Sequence, residues 1–240
     1  MNDCPLSAIA LPNPQETHLW QLYLPAAKRN RDQWFTWLSE DERDRAQRFF
    51  RDVDRDRFVL SRGGLRYLLA RYLGDSPQSF TFSYSAYGKP SLPHAYRRIH
   101  FNLAHSGAWV VYGFSLCQWI GVDVEEKVER TYLESLIQRC LTTQEKISLE
   151  ESKSTRLTGF LKYWTIKEAH LKALGLGLSY PMTEVQVEFQ PEPYLAIAGQ
   201  IADETIQTWT IKLWYPDANS VAASCVGGTS RTSAIRSVIA

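Results

Sequence analysis

Gly121-Val122-Asp123-Val124-Glu125 closes a run free of Asp, Glu, Lys and Arg, from His105 to Ile120, with two carboxylates one residue apart. Valine and isoleucine alternate here with small or acidic residues, the period-2 pattern of a strand with one buried face. Ile120, Val122 and Val124 point one way; Gly121, Asp123 and Glu125 point the other. Residues i and i+2 on a strand lie about 6.5–7 Å apart at Cα, so both carboxylates can lean toward one point. Two like charges that close call for a cation, or one of them takes up a proton. Mg²⁺ fits best, being a hard ion held by one or two carboxylates together with substrate phosphates. The alternative is a strand end that merely sets two acids in water.

On either side of this stretch the chain mixes strands and helices. Residues 108–115 and 118–125 are expected to pair as a central hairpin. Upstream, 20–24 alternates as a short strand ended by Pro25. Ser39 followed by Glu40, Asp41 and Glu42 is a helix start, a capping hydroxyl with acids in the first turn. A second helix runs from near Asp54 to Tyr72. Together these helices carry nine arginines against seven acids, mostly a solvated, ion-paired face. Arg45, Arg48 and Arg57 are the candidates among them to line a phosphate site.

A strand over 80–84 leads into the turn Tyr87-Gly88-Lys89-Pro90, whose lysine is either solvated or a phosphate ligand. A strand over 99–103 leads into Asn102-Leu103-Ala104-His105-Ser106-Gly107, a histidine among small polar residues. Downstream, helices are expected over 131–139, 143–150 and 156–174, the last stopped by Gly175 and Gly177. Strands follow over 184–190, 194–198, 208–215 and 221–226, and the Ser/Thr-rich tail after Gly227 is expected to fray. On the third helix Trp164, Glu168 and Lys172 are successive i, i+4 neighbours on one face. Glu168 and Lys172 read either as a plain helix ion pair or as a third carboxylate and a cation of the Asp123–Glu125 site.

The order strand, helices, strands occurs twice, before and after about Leu116. The fold class is therefore α+β, in two similar halves, 1–115 and 116–240. At 240 residues with 44% apolar composition the chain can bury a sizeable core. A net charge of +1 gives no pull toward nucleic acid or a membrane surface. Cys4, Cys117, Cys140 and Cys225 are far apart with no Cys-x-x-Cys, so neither zinc nor a disulfide framework is indicated. With no basic-then-apolar leader and no 18-residue apolar run, a cytoplasmic protein is expected.

Tyr87-Gly88-Lys89-Pro90, Asn102-Leu103-Ala104-His105-Ser106, Gly121-Val122-Asp123-Val124-Glu125 and Trp164-Thr165-Ile166-Lys167-Glu168-Ala169-x-x-Lys172-Ala173-x-Gly175-x-Gly177-Leu178 together resemble the surfactin-type 4′-phosphopantetheinyl transferases. All four blocks stand in that family's order and spacing, across roughly residues 40 to 180. The resemblance implies a pseudo-dimer of two α+β halves, monomeric, with coenzyme A and Mg²⁺ in the cleft between them. It also implies transfer of the 4′-phosphopantetheine arm to a serine of an apo acyl or peptidyl carrier protein, leaving adenosine 3′,5′-bisphosphate. Such carriers serve fatty-acid, polyketide or peptide synthesis. By the motif match Asp123, Glu125 and Glu168 are the metal ligands. Lys89, His105, Ser106 and the basic residues of the first half hold the coenzyme's phosphates. Lys167 and Lys172 flank Glu168, with Lys172 beside the pyrophosphate. Where relatives often carry lysines between Leu38 and Arg48, this chain has Glu42 with Arg43 and Arg45 around it, and Arg57 is the firmer contact. Glu168 is the expected base toward the serine, with His105 the alternative. Two other functions fit the residues alone: a Mg²⁺-dependent nucleotidyl or sugar-nucleotide transferase, although no nucleotide-loop signature precedes the acids, and a carrier-binding module without catalysis.

Overall fold

The computed structural model describes residues 7–96, 98–117, 119–177, 180–198, 208–228 and 232–239. Strand β1 (Glu16–Tyr23) is followed by helices α1 (Leu24–Ala27), α2 (Arg31–Trp37), α3 (Glu40–Gln47) and α4 (Asp52–Leu73). Next come β2 (Ser83–Tyr84), β3 (Pro90–Ser91), β4 (His100–Ser106), β5 (Trp109–Ser115) and β6 (Ile120–Glu126). Helices α5 (Leu133–Cys140), α6 (Thr143–Glu150) and α7 (Arg156–Leu174) lead to β7 (Val185–Glu188), β8 (Tyr194–Ala198), β9 (Trp209–Trp214), β10 (Ser220–Gly227) and β11 (Thr232–Ser237).

One sheet has the order β11-β1-β5-β4, the other β6-β10-β9. In the first, β5 pairs antiparallel with both β1 and β4; in the second, β10 pairs antiparallel with both β6 and β9. β1-β5-β4 with α4 thus repeats as β6-β10-β9 with α7, an α+β pseudo-dimer. Strand alternation assigns the layers. Trp20, Leu22, Val110, Tyr112 and Phe114 pack on Leu65, Leu68 and Leu69 of α4. The opposite faces of β1, β4 and β5 offer Leu19, Ala104 and Val111 to Val122, Val124 and Ala222 of the second sheet. Val221, Ala223 and Cys225 on the far side of β10 meet Ile166 and Ala169 of α7. The order is therefore α4, sheet, sheet, α7, and the valines of β6 belong to the seam between the halves.

Two expectations are corrected here. Residues 108–115 and 118–125 do not form a hairpin: both edges of β5 are taken, by β1 and β4, so β6 begins the second sheet. The free edge of β6 meets side chains of β4 instead, Val122 N donating to Asn102 Oδ1 (2.9 Å) and Glu126 N to Ser106 Oγ (3.0 Å). The tail after Gly227 contains β11, parallel to β1, with Val238 buried and Arg236 stacked over Trp20. The division expected at residue 115 falls between β5 and β6, and β11 crosses back over it. Among the described residues no helix is long and apolar enough to cross a membrane.

Candidate active site

The site forms where β6 lies against α7. Gly121 permits that approach: a Cβ there would sit 1.9 Å from the carbonyl oxygen of Ala169 and 2.4 Å from the nitrogen of Ala173. Helix α7 is fixed at both ends, by the Thr155 side chain accepting from Thr158 N and by Gly175 in the left-handed region at φ 72°. The face carrying Trp164, Glu168 and Lys172 is thereby held opposite Asp123 and Glu125.

Asp123 and Glu168 are buried, 4% and 7% exposed. Lys172 Nζ donates to Asp123 Oδ1 at 2.5 Å and lies 3.9 Å from Glu168 Oε2. Asp123 Oδ2 and Glu168 Oε1 are buried without a hydrogen-bond partner among the described residues. Burial pushes the Asp123 carboxyl up to about 7; Lys172 opposes the shift, and the charges of Glu125 and Glu168 add to it. Glu168 is likewise raised, by burial first, with Lys172 opposing and Glu125 adding. Burial works against the Lys172 ammonium, but the three acids outweigh it and hold its pKa above the ordinary lysine value. Glu125 is turned to other partners: its Oε1 accepts from Trp164 Nε1 at 3.0 Å and its Oε2 from the Arg130 guanidinium at 2.6 Å. Among the described residues no set of three His, Cys, Asp or Glu side chains is gathered as a metal ion would need. Asp123 and Glu168 converge on the Lys172 ammonium, while Glu125 is held by Trp164 and Arg130.

The facing wall comes from the first half. His105 on β4 is open to solvent, yet the surrounding protein and then the cations Arg57, Lys172 and Arg62 hold its pKa below the usual histidine value. Arg57 pairs with Asp54 at 3.0 Å. Arg45 is exposed and stacks over Phe58, and with Tyr84, Tyr87 and Gly88 it lines a cavity of about 450 Å³. Arg48 is exposed at the end of α3.

Other residues sit differently from expectation. Lys167 is fully buried, its ammonium on Glu145 (2.6 Å) and the carbonyls of Cys140 and Met182, inside the second half's core. It is a structural cation and does not reach the cleft. Glu42 is also structural: it completes the α3 capping box and accepts from buried Arg66 at 2.9 Å. Ser106 joins β4 to β6 through Glu126 N. Lys89 donates to the carbonyls of Ile120 (3.1 Å) and Ala173 (2.9 Å), clamping the first-half turn to the start of β6 and the end of α7. Two residues were not singled out by the sequence, Arg62 and Arg130. Nothing in their spacing separates them from the other arginines.

The clamp has a measurable pH signature. Burial lowers the Lys89 pKa from 10.5 to about 8. Below that value the amine is charged in both folded and unfolded chains. Between the two values the folded protein sheds the proton and the unfolded chain keeps it, so stability rises with pH. The stability of the wild type relative to Lys89→Met should therefore grow by about 2 kcal/mol between about pH 7.5 and about pH 9.5, read from urea midpoints. An unchanged difference would place the amine in water.

A buried acidic centre with its own lysine thus lies near arginines and a histidine of the first half. Residues 120–226 match the model of the 4′-phosphopantetheinyl transferase superfamily, and residues 25–115 match that of the 4′-phosphopantetheinyl transferase N-terminal region. The chain is 33% identical over 218 residues to the 4′-phosphopantetheinyl transferase HetI of Nostoc sp., covering 89% of this chain and 88% of that one. It is 28% identical over 173 residues to the 4′-phosphopantetheinyl transferase Sfp of Bacillus subtilis, covering 72% and 76%. The chain belongs to the 4′-phosphopantetheinyl transferase superfamily, on its surfactin-type branch, and is an enzyme of that class.

Proposed function

We propose that the protein transfers the 4′-phosphopantetheine arm of coenzyme A to a serine hydroxyl of an apo acyl or peptidyl carrier protein, with Mg²⁺, releasing adenosine 3′,5′-bisphosphate. The observation that carries this reading is the pair of buried, unpartnered oxygens, Asp123 Oδ2 and Glu168 Oε1, beside Lys172. Leaving each without a donor costs about 1–3 kcal/mol, a cost that a cation bound between them offsets. Both are hard carboxylate oxygens, the donors Mg²⁺ prefers, and Glu125, whose charge acts on both, would be the third ligand. Held by Asp123, Glu168 and Glu125, Mg²⁺ would supply charge neutralisation for the coenzyme's diphosphate.

The chain's own residues do the rest. The serine oxygen forms a bond to the phosphorus attached to pantetheine as that phosphorus loses its bond to the bridging oxygen of the diphosphate. Glu168 accepts the serine proton, directly or through one water. Lys172 leaves Asp123 for the transferred phosphoryl group and balances its charge. Arg57 and His105, with Arg45 and Arg48 at the rim, hold the nucleotide's phosphates. Both walls belong to one chain, so a monomer is sufficient.

Incubation with coenzyme A, Mg²⁺ and an apo carrier protein should raise the carrier's mass by one phosphopantetheinyl group. Asp123→Ala should slow that reaction by about a hundredfold or more, several kcal/mol of transition-state stabilisation, and EDTA should stop it. An unmodified carrier, or labelling that survives both Asp123→Ala and EDTA, would refute the assignment.

A further inference from the structure

We infer that Arg130 is a built-in counter-ion of Glu125 that a divalent cation must displace, so that this arginine sets the metal affinity of the site. The inference rests on Asp123, Glu125 and Glu168 being the cation's ligands, as proposed above. Its basis is the way the cluster is neutralised. Three carboxylates meet two organic cations, Lys172 on Asp123 and Glu168, and Arg130 on Glu125. Burial of Asp123 and Glu168, each with one unpartnered oxygen, marks the interior of the cluster as short of positive charge.

Glu125 is the movable member. Its side chain is 20% exposed and that of Arg130 28%, whereas Asp123 and Glu168 are enclosed. Trp164 Nε1 holds the other oxygen of Glu125, but a carboxylate oxygen has two lone pairs, so the indole leaves acceptor capacity for a metal. The guanidinium does not. It is a full charge at 2.6 Å, and a divalent ion sharing that oxygen would be repelled by it. Arg130 lies beyond the end of β6 and just before α5, with its backbone carbonyl accepting from Leu133 N. It therefore approaches Glu125 from outside the β6–α7 seam and can withdraw without disturbing either element.

The test is a Mn²⁺ titration of the full chain without coenzyme A, following the free ion by its paramagnetic resonance signal. Mn²⁺ is a hard ion that accepts the same oxygen donors. Four proteins are compared: wild type, Arg130→Gln, Glu125→Gln and the double variant. A partly exposed ion pair contributes up to about 1 kcal/mol, so Arg130→Gln should tighten Mn²⁺ binding about three- to fivefold. In the Glu125→Gln background the same change should leave Kd nearly where it was, because its partner is gone. Equal tightening in both backgrounds would mean Arg130 acts only through its distant charge. Weaker or unchanged binding in Arg130→Gln would mean it positions Glu125 rather than competing for it. Either result overturns the inference, as does the absence of Mn²⁺ binding in all four proteins. Carrier labelling by the wild-type protein tests the transferase reading separately, so the two can fail independently.

Discussion

Glu168→Gln should bind coenzyme A with nearly unchanged affinity and turn over about 10²–10⁴-fold more slowly, the range for loss of a positioned general base. A serine hydroxyl is a weak nucleophile at neutral pH and gives up its proton only to a base within hydrogen-bond reach. Glu168 meets that need better than an ordinary surface carboxylate. Its burial raises its proton affinity, and with Oε1 turned to the cation its second oxygen, Oε2, is left to take the proton. Glutamine keeps the shape and can still present an oxygen toward Lys172, so the helix face should not collapse. Coenzyme affinity is assigned to the first-half cations, which the substitution leaves untouched. The measurements are kcat from carrier labelling and a calorimetric Kd for coenzyme A. Near-full turnover would move the base elsewhere. His105 would be examined first, since its lowered pKa keeps the ring neutral and able to accept a proton.

Much of this site was legible because the signals that place it are local. The alternation from Ile120 to Glu125 puts Asp123 and Glu125 on the face of Gly121, and that is the face α7 covers. Helix α7 ends at Gly175, where the glycine was expected to stop it, and α6 starts behind a Thr142–Glu145 capping box. What escaped depends on partners distant in sequence. Period 2 says that 108–115 and 118–125 are strands but not that β1 occupies the edge of β5 where β6 was expected. The polar tail hides β11 because an edge strand needs few apolar residues, and the core is entered just after it, by Val238 with Ile239 packed alongside. Helix α2 is short, and its Trp34 and Trp37 are explained by distant partners in the first core, including Tyr67 of α4, on which both stack. Lys167 could have been separated from Lys172 without coordinates. At about 100° per residue the two point roughly 140° apart, so they cannot both face the cleft.

Gly121→Ala should be the most damaging single-methyl change in the chain, destabilising the second half by more than about 3 kcal/mol, beyond the usual range for overpacking. The new methyl would meet backbone, not a side chain able to rotate away: the Ala169 carbonyl at 1.9 Å and the Ala173 nitrogen at 2.4 Å. Neither side can give way cheaply. β6 is held in register by β10, with Gly121 opposite Cys225, and α7 is a continuous hydrogen-bonded helix packed on β10. Gly113→Ala is the matched comparison. Its methyl would meet the ends of Val122 and Ile120 at 2.8 and 2.9 Å, side chains that can shift, so about 1 kcal/mol is expected. Urea midpoints of the two variants should differ accordingly. Any Gly121→Ala protein that does fold has moved α7 outward, carrying Glu168 and Lys172 away from Asp123. A displacement of about 1 Å at reacting groups can cost 10²-fold in rate, so its labelling activity should fall with its stability. A Gly121→Ala protein as stable and as active as Gly113→Ala would mean that strand and helix do not approach this closely, and the meeting of Asp123 with Glu168 would lose its structural cause.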